Sequence, residues 1–275
     1  MTLAASRRKC HTSQVVTVAE VQYEARTCLD SERLRELATH KSVLVRCAVS
    51  NNPNTADETI EQLLADSNGS VRMRTASALA DRPALYAHAV DSPHRWVRAS
   101  LATVFSRHDD RSLPYPIQRA LADDEFYETR KAVARTTNFA DIFDRLLADA
   151  DPRVRGWCAA NPRIALNQME QLVADKSSTV RRLTAALGLR YPSDEQLVRL
   201  ARDRSKEVRW AVLFRPDRPR EAVEIIAMDS DDINRRHAES ALVSNGYITS
   251  PMVETSFRKE LNRAVAASPF EAPPG

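Results

Sequence analysis

The chain has 275 residues, with 40 basic and 37 acidic side chains that leave a formal net charge of only +3. This near-balance argues against a surface that is basic throughout, and no stretch approaches about 18 consecutive apolar residues, so no membrane-spanning helix and no membrane partner are expected. With only five glycines and no alternating apolar runs between turns, the sequence predicts an all-α fold.

Residues 1–28 precede the repeated pattern and are predicted to form an N-terminal capping segment. They contain the basic run Arg7-Arg8-Lys9, but no apolar stretch follows it, so a secretory signal is not expected. The four cysteines stand at irregular spacings, which fits a reducing compartment better than a disulfide framework. We therefore expect a cytoplasmic protein.

Between residues 29 and 245 the sequence repeats a pattern about every 26 residues. Its most regular element is an arginine, usually preceded by valine, found at Arg46, Arg72, Arg98, Arg130, Arg155, Arg181, Arg209 and Arg235. Six positions earlier most units have an aspartate, found at Asp66, Asp124, Asp149, Asp175, Asp203 and Asp229. His40 and Ser92 take that place in the first and third units. A fixed period of this length is the signature of a stacked repeat array.

Apolar residues around this pattern predict two short helices in each of about eight units. Before the aspartate, an i, i+3, i+4 stripe occupies one face of a helix, and the valine before the arginine begins a second stripe. Dipeptides such as Asn52-Pro53 and Asn161-Pro162 separate the helices. Since one unit cannot bury its own stripe, neighbouring units must share a core. The leucines predicted to lie deep in this core are Leu63, Leu146, Leu172 and Leu200.

The pattern becomes irregular around residues 106–118, where Pro114-Tyr115-Pro116 indicates an inserted surface loop, with a hinge or contact loop as the alternative. After the repeats, residues 246–267 are predicted to form a C-terminal capping helix. Residues 268–275 contain three prolines and are predicted to be a disordered tail.

The segment LLADADPRVRGWCAANPRIALNQMEQLVAD (146–175) resembles the leucine-rich repeat variant family, a bacterial relative of HEAT and armadillo solenoids. The resemblance covers roughly residues 30–245. It implies a right-handed α-solenoid in which α-helices and 3₁₀-helices alternate. It implies no particular reaction and no catalytic residues.

A leucine-rich repeat variant protein can carry a cysteine-bound iron–sulfur cluster before its repeats, so the resemblance draws attention to Cys10, Cys28 and Cys47. His11 and His40 stand near them and would allow a zinc site instead. However, no CxxC pair is present, and the remaining cysteine, Cys158, lies over four units away. We therefore predict no metal and no cofactor, and interpret these cysteines as free thiols.

The recurring aspartates and arginines are interpreted as structural. Because acid and base recur in register, each arginine is expected to pair with an aspartate of its own or the adjacent unit, which gives a ladder along the array. The alternative is a row of arginines that reads an acidic polymer. The ladder residues are Asp66, Arg72, Asp124, Arg130, Asp149, Arg155, Asp175, Arg181, Asp203 and Arg209.

Cations outside the ladder are the candidates for binding. They include Arg74, Arg95, Lys131, Arg135, Arg153, Arg163, Arg182, Arg202, Arg204, Arg215, Arg218 and Arg236. Among aromatic residues, Trp96 is preferred as an exposed anchor because arginines flank it. Lys131, Arg182, Trp210 and Arg236 each follow a ladder arginine directly, so we expect them to project from one side of the array. The predicted binding surface comprises Arg74, Arg95, Trp96, Lys131, Arg182, Trp210 and Arg236.

No motif indicates catalysis: the sequence lacks a phosphate-binding glycine loop, HExxH, a nucleophile elbow and a clustered triad. We therefore predict a non-enzymatic, monomeric scaffold that binds a partner protein. Nucleic-acid binding through a basic and aromatic stripe is the main alternative. A HEAT-like DNA glycosylase is a further one, although none of that family's site residues can be matched here.

Overall fold

The computed structural model describes residues 16–105, 111–188 and 192–243, which form two compact units divided between Ala78 and Leu79. Every regular element in these ranges is a helix. The N-terminal unit contains α1 (Val18–Thr27), α2 (Ser31–Leu37), α3 (Val43–Ser50), α4 (Asp57–Leu64) and α5 (Gly69–Ser77). The C-terminal unit contains α6 (Tyr86–Val90), α7 (Arg95–Leu101), α8 (Tyr115–Ala122), α9 (Tyr127–Thr136), α10 (Ala140–Leu147), α11 (Pro152–Trp157), α12 (Leu166–Val173), α13 (Ser178–Leu187), α14 (Asp194–Ala201), α15 (Lys206–Leu213), α16 (Arg220–Ile226) and α17 (Asp232–Val243).

From α2 onward the helices form pairs. Even-numbered helices, here called first helices, carry the stripe that precedes the aspartate, and odd-numbered helices, here called second helices, carry the Val-Arg segment. Each first helix contacts its second helix. Within each of the two compact units, every second helix also contacts the next second helix. This arrangement confirms the all-α solenoid, while the number of repeats and the right-handed superhelix stay predictions.

The alternation of α- and 3₁₀-helices that the family resemblance implies is wrong for the part of the chain that the structure describes. Both helices of each pair are α-helical, and 3₁₀-helices occur only at Leu79–Asp81, Pro83–Leu85 and Cys158–Ala160. Of the predicted segments outside the repeats, α1 falls within residues 1–28. Residues 1–15, 106–110 and 244–275 lie outside the described residues, and with them the predicted C-terminal helix and tail.

The predicted core leucines are confirmed. Leu63, Leu146, Leu172 and Leu200 are each at most 1 % exposed, on four different first helices. Burying a leucine side chain contributes roughly 1.5–3 kcal/mol. The second helices fill the other side of the same core with the valines that precede the ladder arginines.

Polar side chains in the loops fix where many helices begin. Asp30, Asn68 and Asp151 each accept a hydrogen bond from the main-chain N–H two residues later, at the starts of α2, α5 and α11. At α14, the main-chain N–H of Ser193 donates to the side chain of Gln196, whose own N–H donates back to the Ser193 hydroxyl. These contacts satisfy N–H groups that have no partner within a helix.

Six of the ladder arginines each join their own loop to the loop of the following repeat. In Arg181, Nε lies 2.5 Å from Oδ2 of Asp203 and Nη2 lies 2.9 Å from Oδ1, a bidentate contact. Its Nη1 donates to the main-chain carbonyl of Asp175, six positions earlier in its own unit. The carboxylate of Asp203 also accepts the N–H of Ser205, which shapes the loop before α15.

The same bidentate contact recurs in five further arginine–aspartate pairs. They are Arg46–Asp66, Arg98–Asp124, Arg130–Asp149, Arg155–Asp175 and Arg209–Asp229. Arg72 and Arg235 donate to the carbonyls of Asp66 and Asp229. The carboxylate in each pair therefore comes from the next unit, and the arginine's own unit supplies only a carbonyl.

This division of roles accounts for His40, which stands where other units have aspartate. Its carbonyl accepts from Arg46 at 2.8 Å, as any residue's carbonyl could. Every ladder arginine is the fourth residue of its helix, and in α1 that position is Val21, so there is no guanidinium for a carboxylate at position 40 to bind.

The ladder makes stability dependent on acid pH. Burial raises the pKa of Asp229, but hydrogen bonds from Arg209, the N–H of Asp231 and Asn234 outweigh it and lower the pKa from 3.8 to about 2. The folded state therefore binds fewer protons than the unfolded state between these values. The stabilisation, about 2 kcal/mol, is present above about pH 4 and is lost as the pH falls toward 2.

We expect Asp229→Asn to reduce this pH dependence. Urea unfolding at pH 7, 4 and 2.5 should show the wild-type free energy of unfolding decreasing between pH 4 and 2.5 by more than that of the variant. Equal decreases in the two proteins would contradict the assignment of this titration to Asp229.

A further set of hydrogen bonds, here called the tie, joins the C-terminal ends of consecutive second helices. The amide of Asn161, after α11, donates to the carbonyls of Ala134 and Thr137 at the end of α9 at 3.0 and 2.9 Å. Asn52 makes the equivalent contacts to Ala25 and Cys28 at the end of α1. Both asparagines stand six positions after a ladder arginine.

Arg215 occupies that same position after Arg209, and its guanidinium donates to the carbonyls of Ala185 and Gly188 at 2.8 and 3.0 Å. Arg215 is only 6 % exposed and Arg218 only 3 %. Interpreting these two arginines as part of a binding surface is therefore wrong. Hydrogen bonds compensate the cost of burying them, because Arg215 donates to two main-chain carbonyls and to Asp217, and Arg218 donates to the carbonyl of Arg215.

Thr129 departs from the repeat pattern and places a hydroxyl group in the core. It stands where most units have the valine before the ladder arginine, and it is fully buried. Its hydroxyl has no hydrogen-bond partner among the residues that the structure describes. A buried polar group without a partner costs stability, and valine has nearly the same shape.

We expect Thr129→Val to raise the free energy of unfolding by about 1 kcal/mol, measured by urea denaturation. The matched control is Thr184→Val on α13, because the buried Thr184 hydroxyl donates to the carbonyl of Val180 at 2.9 Å. That control should gain nothing or lose stability. Equal effects of the two substitutions would contradict this reading.

Candidate binding surface

Three of the predicted surface residues meet in one cluster of the C-terminal unit. The exposed Arg95 lies with its guanidinium carbon 4.8 Å from the ring centroid of Phe126, and Trp96 packs edge-on against the same ring at 4.9 Å. Phe126 contacts Tyr127 at 5.7 Å. The ammonium of Lys131 then lies 6.0 Å from the Tyr127 ring. Arg95, Trp96 and Lys131 are thus linked through two aromatic residues at the start of α9.

The cluster continues onto α11. Lys131 lies 5.2 Å from the ring of Trp157, and Arg135 lies 5.6 Å from the same ring. Arg153 stacks over Tyr127 at 3.4 Å. The whole set, here called the aromatic strip, consists of Trp96, Phe126, Tyr127 and Trp157 with Arg95, Lys131, Arg135 and Arg153. It extends over the second helices α7, α9 and α11 without leaving the C-terminal unit.

Two carboxylates lie within the aromatic strip. Glu128 pairs with Lys131, and Asp151 pairs with Arg153 at 2.6 Å. Burial raises the pKa of Glu128, but the neighbouring Lys131 ammonium and Tyr127 hydroxyl outweigh burial and lower it. The Arg153 guanidinium likewise lowers the pKa of Asp151, so both carboxylates are charged at neutral pH, and neither pairs with Arg95.

The position directly after the ladder arginine does not form a continuous exposed line. Ala99 on α7 is 8 % exposed and Gly156 on α11 is buried. A Cβ atom at Gly156 would lie 2.6 Å from Cδ1 of Leu183, so α11 and α13 approach too closely there for any side chain. The predicted line of Lys131, Arg182, Trp210 and Arg236 is therefore interrupted, and no described contact joins Lys131 to the other three.

Trp210 belongs to a second aromatic group, on α15 and α17. Its ring lies 4.4 Å from that of Phe214 and 5.0 Å from that of His237. Phe214 is 53 % exposed. Arg182 on α13 and Arg236 on α17 are exposed, and neither forms an ion pair with any residue that the structure describes.

Arg74 belongs to the N-terminal unit, whereas the residues of the aromatic strip belong to the C-terminal unit. Burial raises the pKa of the Cys47 thiol, and the nearby Arg74 guanidinium opposes this rise. Across the described ranges, no three His, Cys, Asp or Glu side chains form a group that could hold a metal ion. Cys10 and His11, which the sequence also drew attention to, lie outside those ranges.

Sequence reasoning did not select Phe126 and Tyr127, although they connect the strip. They belong to one of the two repeats in which the pattern is degraded, and they take the two positions before Glu128 where no other repeat has phenylalanine, tyrosine or tryptophan. Two consecutive aromatic residues at the start of a second helix were the available signal. Trp157 and Arg153 follow in the next unit.

Comparison with known proteins supports the fold. Among solved structures, the chain is similar to a leucine-rich repeat variant with a novel repetitive protein structural motif, with 19% sequence identity and a TM-score of 0.53. The match covers 82% of this chain and 87% of that chain. No family model matches the sequence, and no curated protein matches it. At this identity the similarity shows the helical-repeat fold alone.

Within residues 16–105, 111–188 and 192–243, no helix is both long and apolar enough to cross a membrane.

Proposed function

We propose that the protein is a non-enzymatic scaffold whose aromatic strip binds an extended segment of a partner protein. The observation that carries the proposal is the alternation of aromatic rings and cations over three successive second helices. Tryptophan, tyrosine and arginine are the residue types that dominate the energetics of protein interfaces. Repeat arrays offer such residues along a long surface rather than in a single pocket.

The geometry favours binding because the side chains are already held in place. Trp96 is 46 % exposed, yet its ring is fixed against Phe126. Stacking on Tyr127 and the ion pair with Asp151 restrict the Arg153 guanidinium, and stacking on Phe126 restricts that of Arg95. A surface ordered before binding loses less side-chain entropy when a partner arrives.

Nucleic acid fits the strip less well. Base stacking needs open aromatic faces, but cations of the protein already cover the rings of Tyr127 and Trp157. Glu128 and Asp151 also place negative charge where a phosphate backbone would run. These contacts support the choice of a protein partner.

The test uses a display library of random 12-residue peptides, which is selected against the purified full chain. Selected peptides are then measured for affinity to Trp96→Ala and to the control Leu166→Ala, which truncates an exposed apolar side chain on the first helix α12. We expect Trp96→Ala to weaken binding about thirtyfold, as loss of a 2 kcal/mol hot spot does. The control should change affinity little.

The proposal fails if no peptide is enriched, or if the selected peptides bind Trp96→Ala as tightly as the wild type. Circular dichroism and urea unfolding of both variants establish that a loss of affinity does not arise from unfolding.

A further inference from the structure

We infer that the bound segment is acidic, with carboxylates that bind Arg95, Arg182 and Arg236. This inference rests on the proposed protein-binding function and names the chemistry of the partner. It follows from which cations of the second helices already have carboxylate partners and which do not.

Within the aromatic strip, two of the cations are neutralised by the chain itself. Lys131 pairs with Glu128, and Arg153 pairs with Asp151. Arg95 is exposed, stacks on Phe126, and has no carboxylate within ion-pair distance among the described residues. A partner carboxylate can therefore bind Arg95 without displacing an existing ion pair.

Two further second helices of the C-terminal unit also carry an exposed arginine without a carboxylate partner. Arg182 on α13 and Arg236 on α17 are exposed and lack carboxylate partners within the ranges described. By contrast, the exposed arginines of the first helices are paired: Arg199 with Glu170 at 2.6 Å, and Arg220 with Glu224 at 2.7 Å. Among the described helical arginines of this unit, those that are exposed and have no carboxylate partner therefore all lie on second helices.

The three arginines also set a spacing for the partner. Neighbouring packed helices lie about 8–10 Å apart, and an extended chain advances about 3.3 Å per residue. The two helix steps from α13 to α17 therefore correspond to about six residues, and the three steps from α7 to α13 to about eight. Both intervals are even, so an extended peptide would present the three carboxylates on one side.

Aromatic residues lie beside these arginines. Trp96 adjoins Arg95, and Trp210, Phe214 and His237 form a partly exposed group on α15 and α17. An acidic segment with apolar residues between its carboxylates therefore matches both the charge and the apolar surface of these helices.

The experiment uses fluorescein-labelled synthetic peptides and the full chain. The test peptide carries glutamates at positions i, i+8 and i+14 in a neutral background, and its counterpart carries glutamines there. A thymidine oligonucleotide of about 15 residues serves as the nucleic-acid probe. Fluorescence anisotropy is measured at two salt concentrations with the wild type, Arg95→Gln, Arg182→Gln and Arg236→Gln. Arg220→Gln is the control, since it removes the same charge from first helix α16.

We expect the glutamate peptide to bind more tightly than the glutamine peptide. Each second-helix substitution should weaken it about fivefold, which corresponds to the loss of roughly 1 kcal/mol for one ion pair. Arg220→Gln should leave the affinity for the glutamate peptide unchanged, because Arg220 lies on a first helix. A loss common to all four variants would reflect net charge alone.

Equal affinity for the glutamate and glutamine peptides would overturn the inference, while library-selected peptides that depend on Trp96 would still support the proposed function. An equal loss with Arg220→Gln would also overturn it. Oligonucleotide binding that is tighter than peptide binding, falls steeply with salt and is lost in Arg182→Gln would overturn both proposals.

Discussion

Replacement of Asp203 with alanine is expected to lower the free energy of unfolding by about 3–5 kcal/mol, as measured by urea denaturation. The substitution leaves the guanidinium of Arg181, a residue only 7 % exposed, without its carboxylate. A buried charge that loses its partner is costly because it cannot regain full hydration. The substitution also removes the acceptor of the Ser205 N–H, and this hydrogen bond shapes the loop before α15.

The control is Arg199→Ala, which removes the exposed partner of Glu170 and leaves Glu170 its hydrogen bond from Gln196. In this pair the side chains are 53% and 47% exposed, so the loss should be about 0.2–1 kcal/mol. If Asp203→Ala costs no more than this control, the ladder does not contribute as a buried network. Far-ultraviolet circular dichroism should show that both variants keep their helices at low temperature.

Gly156→Ala is expected to cost about 3 kcal/mol, the upper end of what overpacking usually costs. The added Cβ would lie 2.6 Å from Cδ1 and 2.9 Å from Cβ of Leu183. The second of these atoms is attached directly to the backbone of α13, so rotation of the leucine side chain cannot remove the clash. The two helices would have to separate, which would disturb the core on both sides.

Gly69→Ala provides the control, because it makes the same chemical change where there is space. The nearest atom to a Cβ there is Nη2 of Arg72, at 3.5 Å. Alanine favours helix more than glycine does, so this variant should be as stable as the wild type or slightly more stable. If thermal unfolding shows the same loss in both variants, close packing between α11 and α13 is not what the glycine provides.

The helices and their shared core could be predicted from the sequence because both depend on a local period. The apolar stripes place Leu63, Leu146 and Leu172 in the core whatever the path of the chain between units. The partner of each ladder arginine could not be chosen in the same way. An aspartate six positions earlier and one in the next unit are both in register, and only the folded structure shows that the carboxylate comes from the next unit.

The candidate surface was less predictable because its residues do not share one repeat position. Trp96, Tyr127 and Trp157 stand at different distances from their ladder arginines, so a search for periodic exposed residues does not find the set. Arg215 shows the opposite error, since its residue type indicates a surface cation. Its repeat position, which matches that of Asn52 and Asn161, indicates a buried hydrogen-bond donor. The repeat position therefore predicts the role of Arg215 better than its residue type does.

The tie at that position has a consequence for how such arrays tolerate insertions during evolution. Asn161 serves a unit whose ladder arginines, Arg130 and Arg155, are 25 positions apart, and Arg215 serves one whose arginines, Arg181 and Arg209, are 28 apart. A change from the short amide to the long guanidinium thus keeps the same two carbonyls satisfied in a longer unit. The carbonyls at the end of a second helix can therefore be satisfied by donors of different length in repeats of unequal size.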